Sequence, residues 1–391
     1  MLSQAVDLDP KFALAWARLG AEHARAYDSG IDHSSARLAL ARQAIERALA
    51  LAPDDIEVQI EEGNFHFYGS HDYGRATQLF ENVLRIAPNN VDARLQLALV
   101  LKQELHWAEA AANLEKVLAI DPRNVGALNA FARLLEDFRY FDRALAVRQQ
   151  LINIRPDDVD LQARYQKIEY WKSGVWDSFD QWRSTLPPGV ERNSTTVWSY
   201  DRYRATTRRD FDGLMRLLAA PPEESTRFEG NKLWLSQYRA EVLLAKGDRS
   251  RAMATARTLL AQVTAKLRDQ PDDGDMLELS SFARAILGER DAALAEHRRA
   301  HTLTVASKNL SGAASIYRES ITLRALLGDR EQALQEMSRQ LKEPRSAVQS
   351  LRYDVALFSL WDDPAFLAIV NDPANNAPLP FGLEQPPAIV K

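Results

Sequence analysis

The 391-residue chain contains no cysteine, which excludes disulfides, thiolate metal ligands and a thiol nucleophile. That absence leaves the compartment open, because a cysteine-free chain suits the cytosol and a bacterial periplasm equally. Long apolar runs are also missing. No stretch approaches the roughly 20 apolar residues of a membrane span, and no basic segment followed by an apolar run opens the chain. No membrane insertion is expected, and with Met1 as a native start the expected location is cytoplasmic, or periplasmic if the chain is a fragment. Basic charge is not in excess: 49 Lys and Arg stand against 54 Asp and Glu. A surface built for nucleic acid needs a concentrated basic footprint, so no nucleic-acid partner is expected. Strand-type alternation appears nowhere, and the fold is expected to be all-α.

What is present is a period. Pro88, Pro122 and Pro156 stand 34 residues apart, and each closes the same sequence of apolar slots. Leu97, Ala98, Leu101, Ala110, Leu114 and Val117 precede Pro122; Phe131, Ala132, Leu135, Ala144 and Leu151 precede Pro156. Ala98 and Ala132, with Ala110 and Ala144, fall where two antiparallel helices approach so closely that only a small side chain fits. Proline then ends the second helix of each pair. Pro53 lies 35 residues before Pro88, with the extra residue in the turn 68–74, and Pro10 lies 43 before Pro53, with the surplus in a loop at 27–33. The segment Ala5 to Pro10 reads as the end of a second helix, so the chain is expected to begin inside a repeat. The apolar face then exposed by Leu2, Val6 and Leu8 would let copies associate weakly.

The run Trp16-Leu19-Gly20, Gly63, Ala98 and Ala132, each followed by Ala41, Ala76, Ala110 or Ala144 and a terminal proline, resembles the tetratricopeptide repeat family. About four repeats over residues 1–156 carry the resemblance. It implies an α-solenoid, a right-handed superhelix of helix pairs, and a concave face that binds proteins or peptides. A weaker resemblance joins the phrasing Ala-Val-Asp-Leu-Asp-Pro near the start and Leu360-Trp361-Asp362-Asp363-Pro364 near the end to repeat regions of bacterial signalling proteins, such as class III cyclases, winged-helix regulators and Ser/Thr kinases. It implies an alternative role, as the regulatory part of a larger signalling enzyme or transcription regulator whose catalytic or DNA-binding module lies upstream.

Beyond Pro156 the pattern frays. Five of the eight tryptophans lie between Trp171 and Trp234, broken by Pro187-Pro188-Gly189 and Pro221-Pro222, which reads as degenerate helix pairs or a hinge. A rhythm returns at Gly247, Gly288 and Gly328, each capping one helix before a charged turn. The expected organisation is a regular array over 1–156, a tryptophan-rich segment over 157–235, longer repeats over 236–343, and a capping helix with an extended proline-rich tail over 344–391.

Motifs that would carry chemistry fail on inspection. Gly69-x4-Gly74-Arg75-Ala76 lacks the lysine and Ser/Thr of a phosphate loop and follows no strand. His297 and His301 share a helix face but have no third ligand, and read as solvated or capping histidines. Asp269, Asp272, Asp273 and Asp275 lack the register of a calcium loop. The remaining Asp and Glu pairs read as surface charge. No enzyme, metal or cofactor is expected.

The resemblance implies instead a groove lined by the second, fifth, ninth, twelfth and thirteenth positions of each first helix. These are Ile60, Asn64, Phe67 and Tyr68; Leu95, Leu99, Lys102 and Gln103; Asn129, Arg133, Glu136 and Asp137; and Ala163, Lys167, Tyr170 and Trp171. Amides and cations there could hold the backbone or carboxylates of an extended peptide, and aromatics its apolar side chains. A chaperone-type carboxylate clamp needs Lys and Asn at successive fifth and ninth positions. The pairs Ile60/Asn64, Leu95/Leu99 and Asn129/Arg133 do not supply it.

Overall fold

The computed structural model describes residues 1–29, 32, 34–226, 229–306 and 310–380. The described residues are helical throughout, with no strand among them. They divide into two compact units, 1–131 and 132–380.

The first unit opens with α1 (Leu2–Leu8), followed by α2 (Ala13–Asp28) and α3 (Ser35–Leu51), α4 (Ile56–Tyr68) and α5 (Tyr73–Ile86), and α6 (Val91–Gln103) and α7 (Trp107–Ile120). Within each pair the two helices pack on each other, and the first helices α2, α4 and α6 lie side by side. Caps fix the starts: Ser34, Asp55, Asp72 and Asn90 each accept a backbone N–H two or three residues on. The small slots are where the spacing placed them. Ala41, Ala76, Ala98 and Ala110 are fully buried, and a Cβ built on Gly63 would sit 2.5 Å from the ring of Phe80. In α1, Val6 is buried while Leu8 stays exposed. Gly30, Ile31 and His33 of the expected loop lie outside the described residues.

The division between units falls inside α8 (Val125–Asp137). The second unit continues with α9 (Phe141–Ile154), α10 (Val159–Ser173), α11 (Asp177–Ser184), α12 (Thr195–Thr207) and α13 (Phe211–Ala219). Three longer pairs follow: α14 (Glu229–Ala245) with α15 (Arg249–Asp269), α16 (Gly274–Leu287) with α17 (Arg290–Ala306), and α18 (Leu310–Leu326) with α19 (Arg330–Gln340). The chain then shortens its elements into α20 (Val348–Arg352), a 3-10 turn at Val355–Leu360 and α21 (Pro364–Asn371). An aromatic cluster of Tyr170, Trp176, Phe179 and Tyr200 fills the region that breaks the period, with Tyr170 stacked on Trp176 at 3.9 Å between centroids.

From the α4–α5 pair onward, a left-handed backbone residue marks the turns inside the helix pairs. His71, Leu105 and Arg139 hold it at φ 51, 64 and 64°, and Gly174, Gly247, Gly288 and Gly328 hold it at 77 to 85°. The glycines suit that conformation; the other side chains strain it.

The end of the chain departs from the expected extended tail. Residues 341–380 fold back on the start of the second unit: Arg345 N–H donates to Asp137 O at 2.7 Å, and Leu379 N–H to Phe138 O at 3.0 Å. Asn376 Nδ2 reaches Trp171 O at 3.1 Å. Residues 381–391 lie outside the described residues.

Candidate binding faces

In the first unit the candidate residues sit on adjacent first helices. Phe67 and Tyr68 are half-buried with rings 4.5 Å apart, and the Arg25 guanidinium lies 5.3 Å over Tyr68. Burial pushes the Tyr68 phenol above its ordinary value despite Arg25. Leu95, Leu99, Lys102, Gln103 and Asn129 are half-buried, whereas Ile60 is buried. Asn64 differs from its neighbours. Only 2% exposed, it donates to Glu61 at 2.7 Å, and its Oδ1 is buried without a partner.

In the second unit Arg133 is exposed, while the candidates around it are drawn into the interior. Glu136 is buried and accepts from Arg148 Nη2 at 2.6 Å and from Lys167 Nζ at 3.0 Å. Burial alone would raise the Glu136 carboxyl, but Lys167 and Arg148 pull it down to about 2. Burial likewise opposes the Lys167 ammonium, and Glu136 overrides it upwards. Lys167 also sits 3.9 Å over the ring of half-buried Trp171. Tyr170 is 1% exposed and Ala163 fully buried, so neither offers side-chain surface to a ligand in the open; Asp137 is half-buried.

Several charged groups read as surface charge are interior ones. His297, read as solvated, is buried, and its Nδ1 lies 2.9 Å from both Glu278 oxygens. Glu241 is buried with Gln237 donating to it at 2.7 Å; burial, then Asp354, pushes its carboxyl up to about 8. Asp354 is raised by burial too and accepts from Thr322 at 3.0 Å. Arg148 carried a visible signal: it shares the apolar face of α9 with Ala144, Leu145 and Leu151. Glu241 carries a similar one, on the face of α14 that holds Trp234, Tyr238, Leu244 and Ala245. Among the described residues no group of three His, Asp or Glu is placed to hold a metal, and no helix is long and apolar enough to cross a membrane.

No family model matches the chain, and no curated protein matches it. Solved structures do. The chain is similar to MamA of AMB-1, at 22% identity over 46% of this chain and 97% of that one, TM-score 0.33. It is similar to a human IFIT1 dimer with PPP-AAAA, at 15% identity over 78% and 67%, TM-score 0.40. A tetratricopeptide repeat protein from Parabacteroides merdae aligns at 14% identity over 77% and 98%, TM-score 0.32. Identities and TM-scores this low leave the assignment to the packing itself. On that packing the chain is an all-α repeat protein of tetratricopeptide-like helix pairs.

Proposed function

We propose that the chain is a protein-binding scaffold that takes a peptide along the first-helix face of its first unit, with no catalytic step of its own. One observation carries this reading: α2, α4 and α6 lie side by side, and α4 and α6 present half-buried aromatic, aliphatic, cationic and amide side chains, namely Phe67, Tyr68, Leu99, Lys102 and Gln103, rather than a closed apolar seam. Rings supply pockets for apolar side chains, and the amide and ammonium groups meet backbone carbonyls or carboxylates. Arg133 and Trp171 of the second unit extend the same chemistry on their own helices. Panning a random twelve-residue peptide library against the full chain tests the reading. Enriched peptides should bind the double variant Tyr68→Ala, Lys102→Glu at least about tenfold more weakly, with helical circular dichroism unchanged. Enriched peptides that bind both proteins equally would refute it.

A further inference from the structure

The second unit holds a cavity of about 460 Å³, apart from the first-helix face of the first unit on which the peptide-binding reading rests. Its walls come from the end of α10, the turn after α12, and the chain's returning segment. Trp176, Trp361, Phe366 and Leu367 form apolar wall, Arg208, Arg209 and Arg352 bring three guanidinium groups to it, and Asp177 and Asp362 bring two carboxylates.

The three arginines are not equivalent. Arg208 is paired with Asp180. Arg209 holds Asp362 with both terminal nitrogens, at 3.0 and 2.6 Å, and lies 5.5 Å over the Trp361 ring. Arg352 donates through Nη2 to Val370 O at 3.1 Å and Asn371 Oδ1 at 2.6 Å. It has no carboxylate partner among the described residues. A half-buried cation held only by neutral acceptors beside an aromatic wall is a site short of one anion. Two wall residues add to the shortage. Among the described residues the Tyr170 hydroxyl and Trp361 Nε1 are buried hydrogen-bond donors without a partner, on side chains 1% and 8% exposed.

We propose that this cavity binds a carboxylate carried on an aromatic or branched apolar body, the carboxylate on Arg352 and the apolar body between Trp176, Trp361 and Phe366. The volume lies in the range of small-molecule sites and admits a group the size of a phenylalanine derivative. The same chemistry arises in a free organic acid and at the C-terminus of a peptide.

Isothermal titration of the full chain with N-acetylphenylalanine, its amide, and acetyl-Gly-Gly-Phe separates the cases. The acid should bind at least about tenfold tighter than the amide, which differs only in charge. Equal affinity for the tripeptide assigns a chain end, and its rejection assigns a free acid. Arg352→Gln should remove the acid–amide difference, and Trp361→Phe, which keeps the ring and removes the donor, should weaken the acid a few-fold. Should the arginine variant fail to fold, the acid–amide pair on the unaltered chain still decides. Absence of binding at millimolar acid, or equal binding of acid and amide, overturns the proposal.

Discussion

Leu105 in the first unit and Arg139 in the second hold the same place in successive repeats. Both have φ 64°, and both turns close alike, with His106 N–H on Leu101 O at 2.8 Å and Tyr140 N–H on Leu135 O at 2.9 Å. The side chains part company. Leu105 is 40% exposed and serves a turn only. Arg139 is 2% exposed, donating from Nε to Ser346 O at 2.8 Å and from Nη2 to Leu341 O at 2.5 Å, and burial depresses its guanidinium to about 10. One repeat position is thus spent on local geometry in the first unit and on a clasp spanning about 200 residues in the second. The first unit is held mainly by repeated small-to-large apolar packing, with Glu62 and Asn64 buried; the second buries many more polar and charged groups in its apolar core.

That difference predicts opposite responses to pH. Glu241, with its folded value near 8 against an ordinary 4.5, binds more protons folded than unfolded across that window. Its stabilising contribution is therefore complete below pH 4.5 and is lost as pH rises towards 8, on the order of 5 kcal/mol in total. Glu319, raised to about 7 by burial and then by Glu278, acts in the same sense. In the first unit His23 and His66 are held below the ordinary 6.5, each first by burial. Their folded forms prefer the neutral ring, so their contribution is present above pH 6.5 and is lost as pH falls below it. Amide exchange between pH 5 and 8 should show α14 and α18 losing protection beyond the intrinsic base effect, α2 and α4 gaining it. Glu241→Gln should flatten the response of α14. An identical pH trend in both units would erase the distinction.

The clasp gives the next largest effect. Arg139→Met removes the donors from Leu341 O and Ser346 O and leaves both carbonyls inside, which should cost about 3 kcal/mol. Protection of residues 341–380 should fall first. Arg139→Met within about 0.5 kcal/mol of the parent in chemical denaturation would show that those carbonyls find other partners.

The regular packing should respond to volume instead. Ala98→Leu in the first unit forces three more heavy atoms into a fully buried crossing, and overpacking there should cost about 2 kcal/mol. The same change at exposed Glu109 should cost little. Equal costs at the two sites would displace the repeat register.

The small slots and the helix pairs were legible because each is a local, periodic demand that recurs every 34 residues. The clasp was not, because nothing at position 139 distinguishes it from position 105 until residues 341 and 346 arrive. The same holds for the buried charges. Glu136 and Lys167 were legible as candidate surface residues, yet Arg148 from the neighbouring helix holds Glu136 inside, and Glu136 in turn holds Lys167. Periodicity reports which face a residue occupies, and only tertiary contact reports whether that face is covered. The stretch from Asn371 onward was read as extended since prolines break helices, but the 3-10 turn at Pro373–Asn376 needs only a cap such as Asp372 to form.

The smallest effect tests the comparison at its origin. Leu105→Gly relieves a left-handed backbone that costs a β-carbon-bearing residue roughly 1–2 kcal/mol, while giving up part of a half-covered side chain and some unfolded-state stiffness. The balance should be a gain of about 0.5 kcal/mol. Arg139→Gly relieves the same φ and should nevertheless destabilise, because the clasp goes with the side chain. Parallel chemical denaturation of the two variants reads the sign directly. If both changes stabilise, the bonds from Arg139 to residues 341 and 346 contribute nothing; if both destabilise, the left-handed turn carries no strain at Leu105.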